Sequence, residues 1–190
     1  IPFTAASELP LVYDDPCVDP PDDVCIESTI YATTIKLPLT ANDYTISYQV
    51  GNWAGSYVNF LNPASLGMTL TTTIPGTNTV AVPNNSPRFE DYPQIVFCLD
   101  NELTIPSNMI EEDGDSLAFS LCNPLEYVNN GGGLNPNTEE APPYNSIPWE
   151  TGFNANEPFG NGSPTNIDGV TGYFTLTPDM IANFVAGVCV

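Results

Sequence analysis

Residues 44–50 read YTISYQV and residues 68–74 read MTLTTTI. In the first, Tyr44, Ile46, Tyr48 and Val50 alternate with polar residues, and in the second Met68, Leu70 and Ile74 hold the same phase with Thr at 72, the period of a pleated strand rather than of a helix. The same pattern returns in TIYATTIKL (29–37), QIVFCL (94–99), SLAFSL (116–121), GYFTL (172–176) and NFVAGVCV (183–190). Twenty prolines and 14 glycines are spread along the chain, and they leave no stretch long enough for an amphipathic helix. Strands this short, this numerous and separated by turn residues predict an all-β fold of the sandwich type.

Two stretches break the rhythm. Residues 82–89, VPNNSPRF, place prolines between two clusters of strands and predict a stiff linker, so the chain divides into modules at 1–82 and 83–190. Residues 123–168 lack alternation and are packed with Asn, Pro and Gly, including NNGGGLNPN. That predicts one long loop, and a loop of this length in a compact domain is usually functional or flexible.

With 190 residues, 42% of them hydrophobic, the chain has enough apolar material for a core. Against 23 Asp and Glu it carries two basic residues, Lys36 and Arg88, for a formal net charge of −21. Nucleic acid and anionic membrane surfaces are therefore excluded as partners, since both require clustered cations on the protein. Divalent cations are favoured. Histidine is absent, which removes Ser-His-Asp and Cys-His catalysis and the most common zinc ligand. Carboxylate chemistry of the glycosidase kind is left, but Glu139, Glu140 and Glu150 all fall in the predicted loop with nothing to fix their separation. The chain is read as not an enzyme. No apolar run approaches the roughly 18 residues of a membrane span. Five cysteines in an acidic, Pro-, Thr- and Asn-rich chain predict an oxidising, extracellular location. A start on IPFT without methionine and a finish on FVAGVCV suggest a piece of something longer.

Several segments in order, IYATTIKLP, YTISYQ, VNFLNP, NNSPRF, EEDGDSLAFSLCNP, APPYNSIPWETGFNANEPFG, IDGVTGYFTLTP and FVAGVCV, resemble very large secreted proteins of the Bacteroidetes. Those proteins are associated with gliding motility and type IX secretion and are built from repeated immunoglobulin-like or cadherin-like modules. The resemblance implies tandem immunoglobulin-like β-sandwich modules, the first incomplete at its N-terminus. It implies a non-catalytic adhesin or structural module of a cell-surface fibre or filament, on the outside of a bacterium. The partners it implies are neighbouring modules or copies of the same chain. The chain departs from the pattern at residues 50–56, VGNWAGS, where paired cysteines flanked by arginines are usual, and at the acidic turn, where EEDGD replaces DPDGD.

That turn is the principal candidate site. Hard cations such as calcium want six to eight oxygens from Asp, Glu, Asn and backbone carbonyls, and EEDGDSL offers them, though not at EF-hand spacing. PNNSPRF, residues 83–89, looks like the linker motif of cadherins, whose Asn and Asp residues lend oxygens to an interdomain calcium completed by an Asp-x-Asp turn. Glu111, Asp113, Asp115, Asn84 and Asn85 are then the expected ligands at the module junction. The alternative is a solvated acidic turn, which charge runs usually are.

A second reading makes the chain a carbohydrate-binding module. It uses the aromatic loop 142–160, with Tyr144, Trp149, Phe153 and Phe159 as a platform for surface glycans; the competing expectation is that these rings fold back onto the sandwich. For the disulfides, Cys17 and Cys25 lie eight apart across a Pro- and Asp-rich loop and are expected to pair locally. The remaining three allow three choices. An immunoglobulin-like topology makes the strands of Cys122 and Cys189 neighbours, which pairs those two and leaves Cys98 for a partner beyond Val190.

Overall fold

A computed structural model describes residues 3–9, 17, 26–51, 56–76, 84–128 and 139–190. Among them are twelve short strands and no α-helix, so the chain is all-β. In order they are β1 (Ser7–Glu8), β2 (Glu27–Ser28), β3 (Tyr44–Val50), β4 (Leu66–Ile74), β5 (Arg88–Phe89), β6 (Leu103–Ile105), β7 (Met109–Ile110), β8 (Ser120–Cys122), β9 (Leu125–Val128), β10 (Thr165–Ile167), β11 (Phe174–Leu176) and β12 (Gly187–Cys189). They form five small sheets, ordered β1-β2, β10-β11-β6, β12-β8, β3-β4-β9 and β5-β7.

The YTISYQV run pairs along its whole length, from Tyr44↔Ile74 to Val50↔Met68. This register sets Ile46 and Tyr48 beside Thr72 and Leu70 on one face, and Thr45, Ser47 and Gln49 beside Thr73, Thr71 and Thr69 on the other. A slip of one residue would mix the two faces, so the alternation itself fixes the pairing. On its other edge β4 takes β9, from Leu66↔Val128 to Thr69↔Leu125. Glycine is required at 67, because a Cβ there would meet the Val50 carbonyl oxygen and the Tyr127 ring.

The stretch 123–168 is therefore not one long loop: it contributes β9 and β10, while its residues 129–138 lie outside those described. Leu-Glu-Tyr-Val is too short for its period to be read alone. Its strand state comes from β4 and from burial of Tyr127 to 1% exposure. The opposite outcome holds at 29–37 and 94–99. Of these only Tyr31 makes a bridge, to Phe3, and Ile30, Ile35, Ile95 and Leu99 are exposed. Strand propensity needs a neighbouring edge to act on; among the described residues 29–37 meets one only at its start, where the Thr4 N–H donates to the Ile30 carbonyl at 2.9 Å, and 94–99 pairs with no strand.

The buried hydrophobic cluster joins segments far apart in sequence. Phe60, Leu66 and Ile147 form a buried cluster, with Tyr57, Trp149 and Val185 packed against it. Both this cluster and the β3-β4-β9 sheet draw on residues from either side of 82/83. Next to Phe60, the fully buried Asn59 donates from Nδ2 to the carbonyls of Pro158 (2.9 Å) and Val185 (2.7 Å) and accepts the Val185 N–H. Burying an amide without such partners would cost about 1–3 kcal/mol per unpaired group.

Two disulfides close the fold. Cys122 and Cys189 are joined, as expected, across the β8–β12 pair. Cys17 is joined to Cys98, which corrects its expected pairing with Cys25 and the assignment of Cys98 to a partner beyond Val190. The reason is tertiary proximity: β1 and β2 pair, and the Ser28 hydroxyl bonds the Tyr92 hydroxyl at 2.9 Å, which lays the N-terminal ribbon against the approach to Cys98. Cys25 lies outside the described residues. Each bridge spans tens of residues, 81 and 67. Loops of that size stabilise by on the order of 4 kcal/mol each through the unfolded chain.

Candidate functional site

The linker and the acidic turn, which the sequence separates by more than twenty residues, meet because β5 pairs with β7, Arg88↔Ile110 and Phe89↔Met109. The pairing continues one step further, with the Glu90 N–H donating to the Asn108 carbonyl at 2.7 Å. Asn84 and Asn85 precede β5 and the turn follows β7, so an antiparallel pair of two residues brings the two motifs face to face.

Glu111 organises the turn from within. Its Oε1 accepts the Asp113 N–H at 3.0 Å and its Oε2 the Asp115 N–H at 2.7 Å. Gly114 between them has φ 84°, and a Cβ there would touch nothing, so the requirement is for the left-handed backbone and not for space. The linker then closes on the turn. Both Asp113 oxygens accept from Asn85, Oδ2 from its backbone N–H and Oδ1 from Nδ2 at 3.0 Å. Asp115 Oδ2 accepts from Asn84 Nδ2 at 3.2 Å. Arg88 adds an ion pair to Glu112, Nη2 to Oε1 at 3.1 Å, with both side chains more than half exposed.

The structure thus brings together Asn84, Asn85, Glu111, Asp113 and Asp115, the residues named from sequence, as a hydrogen-bonded clasp. Sequence reasoning missed the Arg88–Glu112 pair. The signal was present, since Arg88 is one of only two basic residues and stands in the linker itself.

As a metal centre the donor set has the right chemistry, carboxylates and Asn amides, but not a finished arrangement. Among the described residues no three acidic or cysteine side chains converge on one ion, and the Glu111 and Asp113 carboxylates already accept N–H donors. Calcium coordination would require the Asn84 and Asn85 amides to turn oxygen inward in place of nitrogen, and the carboxylates to release those donors.

The aromatic residues of 142–160 do not form a common exposed platform. Phe159 is 7% exposed, with Phe184 and Phe174 beside it at centroid distances of 5.2 and 6.1 Å. Trp149 packs on Phe60 at 4.9 Å, and its Nε1 donates to Asn123 Oδ1 at 2.9 Å. Phe153 lies 6.3 Å from Phe184. Tyr144 is half-buried and donates its hydroxyl to Ser47 Oγ at 2.9 Å. Beside this loop an open cavity of about 510 Å³ is lined by polar residues including Asn154, Glu157, Asn161 and Thr165.

Carboxylates elsewhere are perturbed for structural reasons. Glu126, on β9, is raised above the ordinary 4.5 by burial and secondarily by Glu140. Glu140 itself is held in place through its backbone, which both accepts from and donates to the Gln49 side chain. Asp168 is lowered by the Thr171 and Val170 N–H groups that its Oδ1 accepts in a tight turn. No family model, curated protein or solved structure matches the chain.

Proposed function

We propose that the chain is a non-catalytic extracellular adhesin or structural module of a large bacterial cell-surface fibre, built from immunoglobulin-like β-sandwich modules. In this reading its junction is stiffened by disulfides and calcium. One observation carries it: PNNSPRF closes onto EEDGDSL through Asn84, Asn85, Asp113 and Asp115. A motif pair that in cadherin-like proteins serves an interdomain cation is here in contact. The two disulfides support an oxidising compartment. The charge of −21 keeps copies apart except where they are designed to meet.

When bound, calcium would supply charge neutralisation at the turn and convert a clasp of exposed hydrogen bonds into a rigid joint. Asn84, Asn85, Glu111, Asp113 and Asp115 would hold it. Thermal unfolding with calcium and with chelator tests this. Calcium at about 100 times its Kd should stabilise the fold by about 2.7 kcal/mol, because it binds the folded state alone. An unchanged Tm, together with an Asp113→Ala/Asp115→Ala variant that melts like wild type in both conditions, would sink the cation reading.

A further inference from the structure

The strand β3 ends its sheet, and its outer edge forms no backbone hydrogen bond to another segment among the described residues. On the face it shares with β4, Ile46, Tyr48, Leu70 and Ile74 are 42%, 58%, 55% and 40% exposed. Edge strands are normally defended against pairing by Lys, Pro, a bulge or a short length. This one is seven residues long and has none of the first three.

Charge singles out the same surface. No Asp, Glu, Lys or Arg occurs between Asp43 and Arg88, in a chain of net charge −21. Two copies of so acidic a protein repel across most of their surfaces, and β3 with β4 forms an approach without a carboxylate on either strand.

We propose that β3 is a self-association edge, pairing antiparallel with β3 of a second copy about a two-fold axis through Ser47. That axis gives the longest overlap: Ser47 opposes Ser47 of the second copy, Ile46 opposes its Tyr48 and Tyr44 opposes its Val50. Because side chains alternate with period two, this register sets Ile46, Tyr48, Tyr44 and Val50 against one another and the polar Thr45, Ser47 and Gln49 against one another. The product is a continuous sheet ordered β9-β4-β3-β3-β4-β9, with an isologous interface. A far end of two strands alone, exposed on both faces, is marginal in water, and the pairing turns it into the middle of a larger sheet. The inference concerns how copies meet and does not rest on the cation reading.

The test is the solution mass of the full chain by sedimentation across a wide concentration range, with and without chelator. The wild type should reach twice the chain mass in both conditions. An Ile46→Lys/Tyr48→Lys variant, whose positions are exposed and whose fold is checked by circular dichroism, should remain at the chain mass. Ser47→Cys should give a reducible double-mass species on mild oxidation, whereas Thr73→Cys, on the inner strand, should not. A monomeric wild type at every concentration, or a dimer that survives the lysine variant, overturns the proposal. A dimer lost only with chelator would place the contact at the Asp113 turn and overturn it as well.

Discussion

The clasp at Asn84–Asp115 and the knot at Asn59–Phe60 both join segments distant in sequence, and both use asparagine amides, yet they are held by different physics. In the knot, Asn59 is fully buried and Phe60 is 3% exposed, so its hydrogen bonds are made where water cannot substitute. In the clasp every bond lies at the surface, where solvent competes for each donor and salt screens the ion pair. Position in the fold, more than bond count, decides what each one contributes.

The largest losses of stability are expected at the knot. Phe60→Ala removes the ring that Trp149 packs against at a tilt and should cost about 3–5 kcal/mol in denaturant unfolding, the range for aromatic truncation in a core. Asn59→Ala leaves the Pro158 and Val185 carbonyls without their donor, and a loss of about 2–4 kcal/mol is expected by the same measurement. If either substitution leaves the midpoint where it was, the knot does not organise the fold.

At the clasp the effects should be smaller and sensitive to conditions. Asn85→Ala should cost about 0.5–1.5 kcal/mol, the net worth of an ordinary hydrogen bond. Arg88→Gln should cost no more than about 1 kcal/mol, and the difference from wild type should vanish in high salt. A cost that persists in high salt would mean that Arg88 acts through packing and not through its charge.

The smallest expected effect tests β9. Because burial raises Glu126, the folded state binds its proton more tightly than the unfolded chain does. The stability linked to this group is present below the ordinary value of 4.5 and is lost as pH rises through the folded value. Glu126→Gln should therefore flatten the fall of Tm with pH just above that point and leave the neutral-pH fold slightly more stable. A steeper fall in the variant would reverse the sign of the argument.

Much of the fold was legible in the amino-acid sequence. The all-β class and the whole of β3 followed from period-two alternation, since that pattern has one stable solution in water. Of the clasp, Glu111, Asp113 and Asp115 were legible from their chemistry, because acids flanking Gly are wanted at turns and at hard cations alike, and Asn84 and Asn85 from the resemblance of PNNSPRF to a cadherin linker. Less was visible at β9, where four residues are too few to show a period, and at Asn59, whose importance is that three carbonyls and amides from other segments surround it.

The sequence by itself determined that the chain is made of short strands, that it is acidic, and which side chains carry the candidate chemistry. These are properties of composition and of spacing along a few residues. Only the tertiary structure decided that Cys17 bonds Cys98, that the rings of 142–160 turn inward, that β4 finds β9 across the linker, and that Asn84 and Asn85 reach the acidic turn. Each of those depends on which distant segment lies within a few ångströms, and that is fixed by pairings such as β5 with β7 and β4 with β9 and by the joint burial of Phe60, Leu66 and Ile147, not by the neighbours of any one residue in the chain.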